Sequence, residues 1–179
     1  MRAAFQFLLL LPLQLALYAA DAQSLEYQVK AAFLLNFTKF VDWPPGSFGD
    51  GSSPVSICIL GPDSFGSAID RIVVGEVVNS RKVVIQRLKD LPPPKPCQVL
   101  FARKSEKDMP RLLSELGPGV LTVGESDSFL SDGGMINFVV DNRRVHFDIN
   151  QAAAEKAGIK LSARLLSVAR AVKNQTVEP

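Results

Sequence analysis

The sequence predicts one α/β domain of three layers, a mixed sheet of about six strands flanked by about five helices. Three observations carry that expectation. Short apolar runs alternate with amphipathic stretches, as the crossover units of a parallel sheet require. Towards the C-terminal end the alternation stops, and two strands joined by Asp141-Asn142-Arg143-Arg144 pair most simply as an antiparallel hairpin. No repeat, low-complexity segment or linker divides the chain, and 179 residues suit a single core.

The first segment reads as a targeting signal and not as part of that core. Arg2 precedes an apolar stretch from Phe5 to Leu17, followed by Tyr18-Ala19-Ala20-Asp21-Ala22-Gln23. A charged start, an apolar middle and small residues at Ala20 and Ala22 form the layout of a secretory signal peptide cleaved after Ala22. The stretch is shorter than the ~20 residues of a membrane-spanning helix, and Gln6 and Gln14 interrupt it. The expected division is therefore a signal peptide over 1–22 and an exported α/β domain over 23–179. No cysteine follows the cleavage site, so a lipid anchor is not indicated.

Glu26 to Asp42 reads as the first helix, with Val29, Phe33, Leu34, Phe37, Phe40 and Val41 on one broad apolar arc. Gln28, Thr38, Lys39 and Asp42 lie opposite, and Leu35 breaks that polar face. Lys30 and Asn36 fall inside or at the edge of the arc, where snorkelling or a hydrogen bond to the next loop would satisfy them. Trp43-Pro44-Pro45 ends the helix, because a residue before proline is pushed out of helical geometry. Val55 to Leu60 is a buried strand stopped by Gly61-Pro62, and Asp63 is placed to cap a helix through Ile69, Ile72 and Val73 that stops at Gly75. Lys82 to Gln86 is the second strand, Leu91 to Pro96 a stiff extended connection and Gln98 to Ala102 the third strand. Ser105 caps a helix carrying Met109, Leu112, Leu113 and Leu116, ended by Gly117-Pro118-Gly119. Val120 to Val123 is the fourth strand, and Met135 to Val140 and Val145 to Ile149 form the hairpin. Two helices finish the chain, Gln151 to Ala157 stopped by Gly158 and Ser162 to Val172 capped by Ser162.

Composition narrows the chemistry. Lys+Arg total 20 against Asp+Glu 18, a net charge of +2, which lacks the basic excess of a nucleic-acid binder. There is one histidine, His146, and two cysteines, Cys58 and Cys97, too few for a zinc site of the Cys/His type unless carboxylates supply the rest. In an oxidising compartment the even pair reads first as a disulfide, and closing that ring stabilises by about 4 kcal/mol in the chain-entropy model. His146 alternates with the apolar Val145, Phe147 and Ile149 and so faces solvent, and no G-x-S-x-G turn accompanies it. Neither catalytic residues nor a cofactor are expected.

Ligands in open α/β sheets bind at the carboxyl ends of the parallel strands. Those ends carry Asp63 and Ser64 in the Gly61 to Gly66 turn, and Glu125 and Asp127 after the fourth strand. The turn lacks G-x-G-x-x-G spacing, and Asp63 would repel a phosphate. With Lys30, Leu35 and Asn36 of the first helix, these four residues are the candidate ligand or partner surface.

A set of blocks in order carries a resemblance. They begin with Lys30-Ala31-Ala32-Phe33-Leu34-Leu35-Asn36-Phe37-Thr38-Lys39-Phe40-Val41-Asp42-Trp43-Pro44 and Ile57-Cys58-Ile59-Leu60-Gly61-Pro62-Asp63-Ser64-Phe65-Gly66. Cys97-Gln98-Val99-Leu100-Phe101, Leu121-Thr122-Val123-Gly124, Gly133-Gly134-Met135-Ile136 and Phe147-Asp148-Ile149-Asn150 follow, and Ala157-Gly158-Ile159-Lys160-Leu161-Ser162-Ala163-Arg164-Leu165-Leu166 closes the series. Together they resemble the YfiR family of periplasmic proteins over essentially the whole mature chain.

The resemblance implies regulation by contact. Relatives hold an inner-membrane diguanylate cyclase inactive through its periplasmic domain, and an outer-membrane-associated partner can release it, raising cyclic di-GMP and promoting biofilm. It also implies a sheet flanked by helices and a homodimer. Some relatives carry a second, later cysteine pair that this chain lacks, so redox control through that pair is not implied. The alternative reading is a periplasmic small-molecule sensor using the cleft near Asp63, Ser64, Glu125 and Asp127.

Overall fold

A computed structural model describes residues 11–89, 97–103 and 108–174, with side chains from Leu25 onward. In chain order the elements are α1 (Leu11–Lys39), β1 (Val41–Asp42), β2 (Val55–Leu60), α2 (Ser67–Val73), β3 (Val77–Val78), β4 (Arg81–Leu88), β5 (Val99–Ala102) and α3 (Met109–Glu115). Then come β6 (Leu121–Gly124), β7 (Ile136–Asp141), β8 (Arg144–Asn150), α4 (Gln151–Lys156), β9 (Lys160–Leu161), α5 (Ala163–Val168) and β10 (Ala171–Lys173).

The main sheet has eight strands in the order β10-β8-β7-β6-β5-β2-β4-β3. Strands β4, β2, β5, β6 and β7 run parallel, β8 turns back on β7, and Asn142 and Arg143 take the positive φ of 48° and 61° that a tight hairpin turn requires. Alternation along β2 explains the layers. Val55, Ile57 and Ile59 join the larger apolar cluster with α1, whereas Cys58 and Leu60 join a smaller one with Met109, Leu112 and Leu113 of α3. A strand covered on both faces reads as one apolar run, which is why VSICIL was legible.

The first helix buries most of the arc its sequence suggests, with Leu34, Phe37 and Val41 in the core and Phe33 and Phe40 packed against it, but the buried face extends further round the helix. Tyr27, Lys30, Ala31, Leu34, Leu35, Phe37 and Thr38 face the sheet, while Val29 is 38% exposed and Asn36 lies fully on the outside. Leu35, expected to reach outward, is in the core. Thr38, expected on the polar face, is buried because its hydroxyl donates to the Leu35 carbonyl at 2.6 Å. Phe33 and Phe37 pack on Phe138 and Phe147, with ring centroids 5.0 to 6.1 Å apart. Each such pair adds ~1 kcal/mol beyond its buried area.

Short elements depart from the sequence expectation. The first helix stops at Lys39, three residues before Asp42, because Val41 and Asp42 pair with Leu161 and Lys160 in a separate two-stranded sheet. Asp63 does not cap α2. The N-cap position is Gly66, at φ 51°, and Asp63 instead accepts the amides of Phe65 and Gly66 in the preceding turn. The last helix ends at Val168 and not Val172, and Val172 pairs with Ile149 in the edge strand β10. The strand total exceeds the expected six because β1, β3, β9 and β10 are two or three residues long, too short to show a period. The connection Leu91 to Pro96 and the cap Ser105 lie outside the described residues, and α3 begins instead behind Asp108 at φ 60°.

Two features hold the sheet beneath the functional region. Cys58 and Cys97 form a disulfide with Cα atoms 5.9 Å apart, and both are buried. Phe129, wholly buried, lays its ring on the backbone of Gly124 and Gly134, where any Cβ would stand 2.3 and 2.2 Å from ring carbons.

Candidate functional site

Helix α1 runs from the carboxyl to the amino ends of the parallel strands. Lys30, near its start, meets Glu125 just after β6, and Trp43, past its end, donates Nε1 to the Gln98 carbonyl ahead of β5 at 3.2 Å. This antiparallel lie is what a crossover helix on a parallel sheet adopts.

The geometry gathers five polar side chains at the strand ends. Lys30 Nζ donates to Glu125 Oε2 at 2.6 Å and to Glu26 Oε1, one turn back along the helix, at 2.5 Å. Tyr27 donates its hydroxyl to Glu125 Oε1 at 2.8 Å, and Arg103 Nε stands 3.9 Å from the same oxygen. The Lys30 side chain is 3% and the Glu125 side chain 9% exposed, while Glu26 and Arg103 at 29% and 32% form the open rim of the network. The Lys30 ammonium also sits 4.7 Å from the Tyr27 ring centre and 5.8 Å from that of Phe138.

Burial and pairing oppose each other in setting the protonation states. Burial alone would lower the Lys30 pKa, but the hydrogen bonds to Glu125 and Glu26 outweigh it and hold the group above the ordinary lysine range. Tyr27 is also pushed up, first by burial and then by its bond to Glu125. Lys30 therefore stays an ammonium and Tyr27 a phenol, so neither serves as a base or nucleophile at neutral pH. The cluster is an electrostatic clamp between α1 and the end of β6. Ser64 places a buried hydroxyl beside it that lies near Tyr27 without reaching hydrogen-bond geometry.

Of the residues singled out from the sequence, Lys30 and Glu125 are thus bonded to each other, with Ser64 adjacent. Asp63 turns away and pairs with Arg87, Nε to Oδ2 at 2.7 Å, while the same guanidinium forks onto Asp70 at 2.7 and 3.1 Å. Arg87 lowers the Asp70 pKa and has its own raised by that bond and by Asp63. Asp127 lies exposed in the turn beyond Glu125, Leu35 is in the core, and Asn36 is exposed. Glu26, Tyr27 and Arg103 are site residues that the sequence reading did not single out. Glu26 and Lys30, four apart with the acid first, carry the helical ion-pair signal that points to Glu26.

His146 is half-buried beside Val139 on the sheet face away from α1. Asp148 on that face binds Arg170 through both oxygens, at 2.9 and 2.6 Å. Among the described residues, no group of three His, Cys, Asp or Glu side chains could hold a metal ion. Two grooves open on the surface, one of ≈ 480 Å³ between α3 and α4 and one of ≈ 490 Å³ beside β9. Neither is lined by the strand-end residues. No helix among the described residues is long and apolar enough to cross a membrane.

Comparison with known proteins places most of the chain in a described family. The profile of the family described as YfiR/HmsC-like fits residues 27–170, from Tyr27 of the clamp to Arg170 on Asp148. No curated protein matches the chain. Among solved structures it is similar to a conserved domain protein from Vibrio cholerae O1 biovar El Tor, at 12% identity and a TM-score of 0.46 over 66% of this chain. The chain spans 54% of that protein's length.

Proposed function

The chain belongs to the YfiR/HmsC-like family, and from that premise we propose that it is an exported periplasmic regulator that holds an inner-membrane diguanylate cyclase inactive by direct contact. The match over 27–170 is the observation that supports this reading. In the proposal, residues 1–22 act as a signal peptide and 23–179 form the working domain. A second, outer-membrane-associated protein relieves the inhibition, and loss of the regulator raises cyclic di-GMP and biofilm formation.

The physics asked of such a protein is differential affinity. A regulator that binds one conformation of a membrane enzyme more tightly shifts its population by that difference, and ~5.5 kcal/mol moves it from 1:99 to 99:1. Nothing catalytic is needed for that. The buried clamp of Lys30, Glu125, Tyr27 and Glu26 suits the task, since it fixes α1 rigidly on the sheet and so presents a preformed surface.

Deleting the gene in a strain that retains its membrane cyclases tests the reading. Intracellular cyclic di-GMP rises in the deletion and returns on complementation, whereas an unchanged level in both would overturn it. Fractionation with N-terminal sequencing checks export, with the periplasmic form beginning at Gln23.

A further inference from the structure

The outer face of α1 carries an ordered stripe that the domain itself does not use. Leu25, Val29, Ala32 and Asn36 follow one another at intervals of four, three and four residues, the spacing of a helix-packing seam. On a 3.6-residue wheel they lie diametrically opposite the buried Leu34. Leu25 is 62% and Val29 38% exposed, Ala32 is partly exposed, and Asn36 is exposed with no hydrogen bond. An outward face of a helix on an α/β sheet ordinarily carries charge, yet here the one ionised side chain among the outermost positions, Lys39 at the end, is neutralised by Glu76 at 2.8 Å.

We propose that this stripe is the seam on which an α-helix of the signalling partner packs. The occupant is a helix with apolar side chains along one face and a hydrogen-bonding side chain level with Asn36. The inference rests on the regulatory reading above and names the surface it leaves open. Charge complementarity selects an uncharged partner face, because an acidic or basic helix would meet no counter-charge between Leu25 and Asn36. Ala32 leaves room for close approach, and a lone amide in an apolar seam fixes register and orientation. The area decides between a second copy and a partner. From Leu25 to Lys39 the face is about 22 Å long at 1.5 Å per residue. A single helix seam of that length falls well below the ~800 Å² per partner that stable interfaces bury, so it suits a contact that forms and releases and not a permanent dimer.

The test uses the full-length protein in its own strain, with Leu25→Asp and Val29→Asp as separate variants. Val168→Asp is the control, an equally drastic change at a position 65% exposed on α5. Accumulation in the periplasm and the thermal midpoint are measured for each. Both seam variants fold, weaken partner repression at least tenfold and bring cyclic di-GMP to the deletion level, while Val168→Asp represses like the natural protein and Val29→Leu keeps function. Folded seam variants that repress normally, in a strain where deletion raises cyclic di-GMP, overturn the seam and leave the regulatory reading standing. Deletion without effect overturns the regulatory reading and the seam with it. Light scattering supplies the remaining arm: a natural dimer that Val29→Asp converts to monomer identifies the occupant as a second copy and also overturns the proposal.

Discussion

Lys30 and Glu125 are 95 residues apart in the chain and 2.6 Å apart in the fold. Their contact ties the first helix to the end of a central strand, with the lysine side chain 3% and the glutamate side chain 9% exposed.

Removing Lys30 takes from the Glu125 carboxylate its shortest ionic partner and leaves only the more distant Arg103, at 3.9 Å. Lys30→Met is expected to lower unfolding free energy by about 3 kcal/mol, read as a drop in urea midpoint with unchanged slope. The double variant Lys30→Met with Glu125→Leu recovers part of that loss, because an apolar pair replaces a carboxylate deprived of that partner. A double-mutant cycle with no coupling between the two positions would disprove the pairing.

The same groups fix the sign of the alkaline response. Lys30 and Tyr27 both have folded-state pKa values above their unfolded ones. Their contribution is therefore complete below the unfolded values, about 10.4 and 10, and is lost as pH rises through the folded ones. Stability is expected to be insensitive to these groups between pH 7 and 9 and to fall above about 10. Lys30→Met flattens that fall, as pH-dependent thermal melts will show.

Phe129 makes two glycines indispensable. A methyl group at Gly124 or Gly134 would stand inside the ring's contact distance, so Gly124→Ala and Gly134→Ala should each cost ~1–3 kcal/mol through overpacking. Phe129→Leu in the Gly134→Ala background restores part of it. Equal melting points for Gly134→Ala and the natural protein would refute the wedge.

Cys58→Ala with Cys97→Ala removes the disulfide without leaving a lone thiol. The expected loss is about 4 kcal/mol by chain entropy. Thiol titration of the unfolded, unreduced protein should find none, and two titratable thiols would contradict the bridge.

The parts of the fold that could be read in advance are those whose pattern is set by burial alone. Strand β2 is a run buried on both faces, β5 is continuously apolar and β8 alternates strictly, and the parallel part and the closing hairpin followed from such runs. The paired strands of two or three residues have no pattern to read, because β1, β9 and β10 exist only through a partner distant in sequence. The wheel of α1 misled for a related reason. Its sequence places Val29 on the apolar arc and Thr38 on the polar face, yet Val29 is 38% exposed and a hydroxyl bond to the backbone takes Thr38 inside. Val29 was thereby drawn inward and Leu35 outward, the reverse of their places. Lys30 and Glu125 were each visible as candidates, but their meeting depends on where the helix lands.

The disulfide closes a covalent ring that contains α2, β3 and β4, the whole of one flank of the main sheet. A protease that cuts anywhere between Cys58 and Cys97 therefore opens the ring without releasing a fragment. The nicked chain keeps both halves linked and its strands in register, and it runs as one band until a reductant separates it into two. That topology lets a surface cut on this flank be survived.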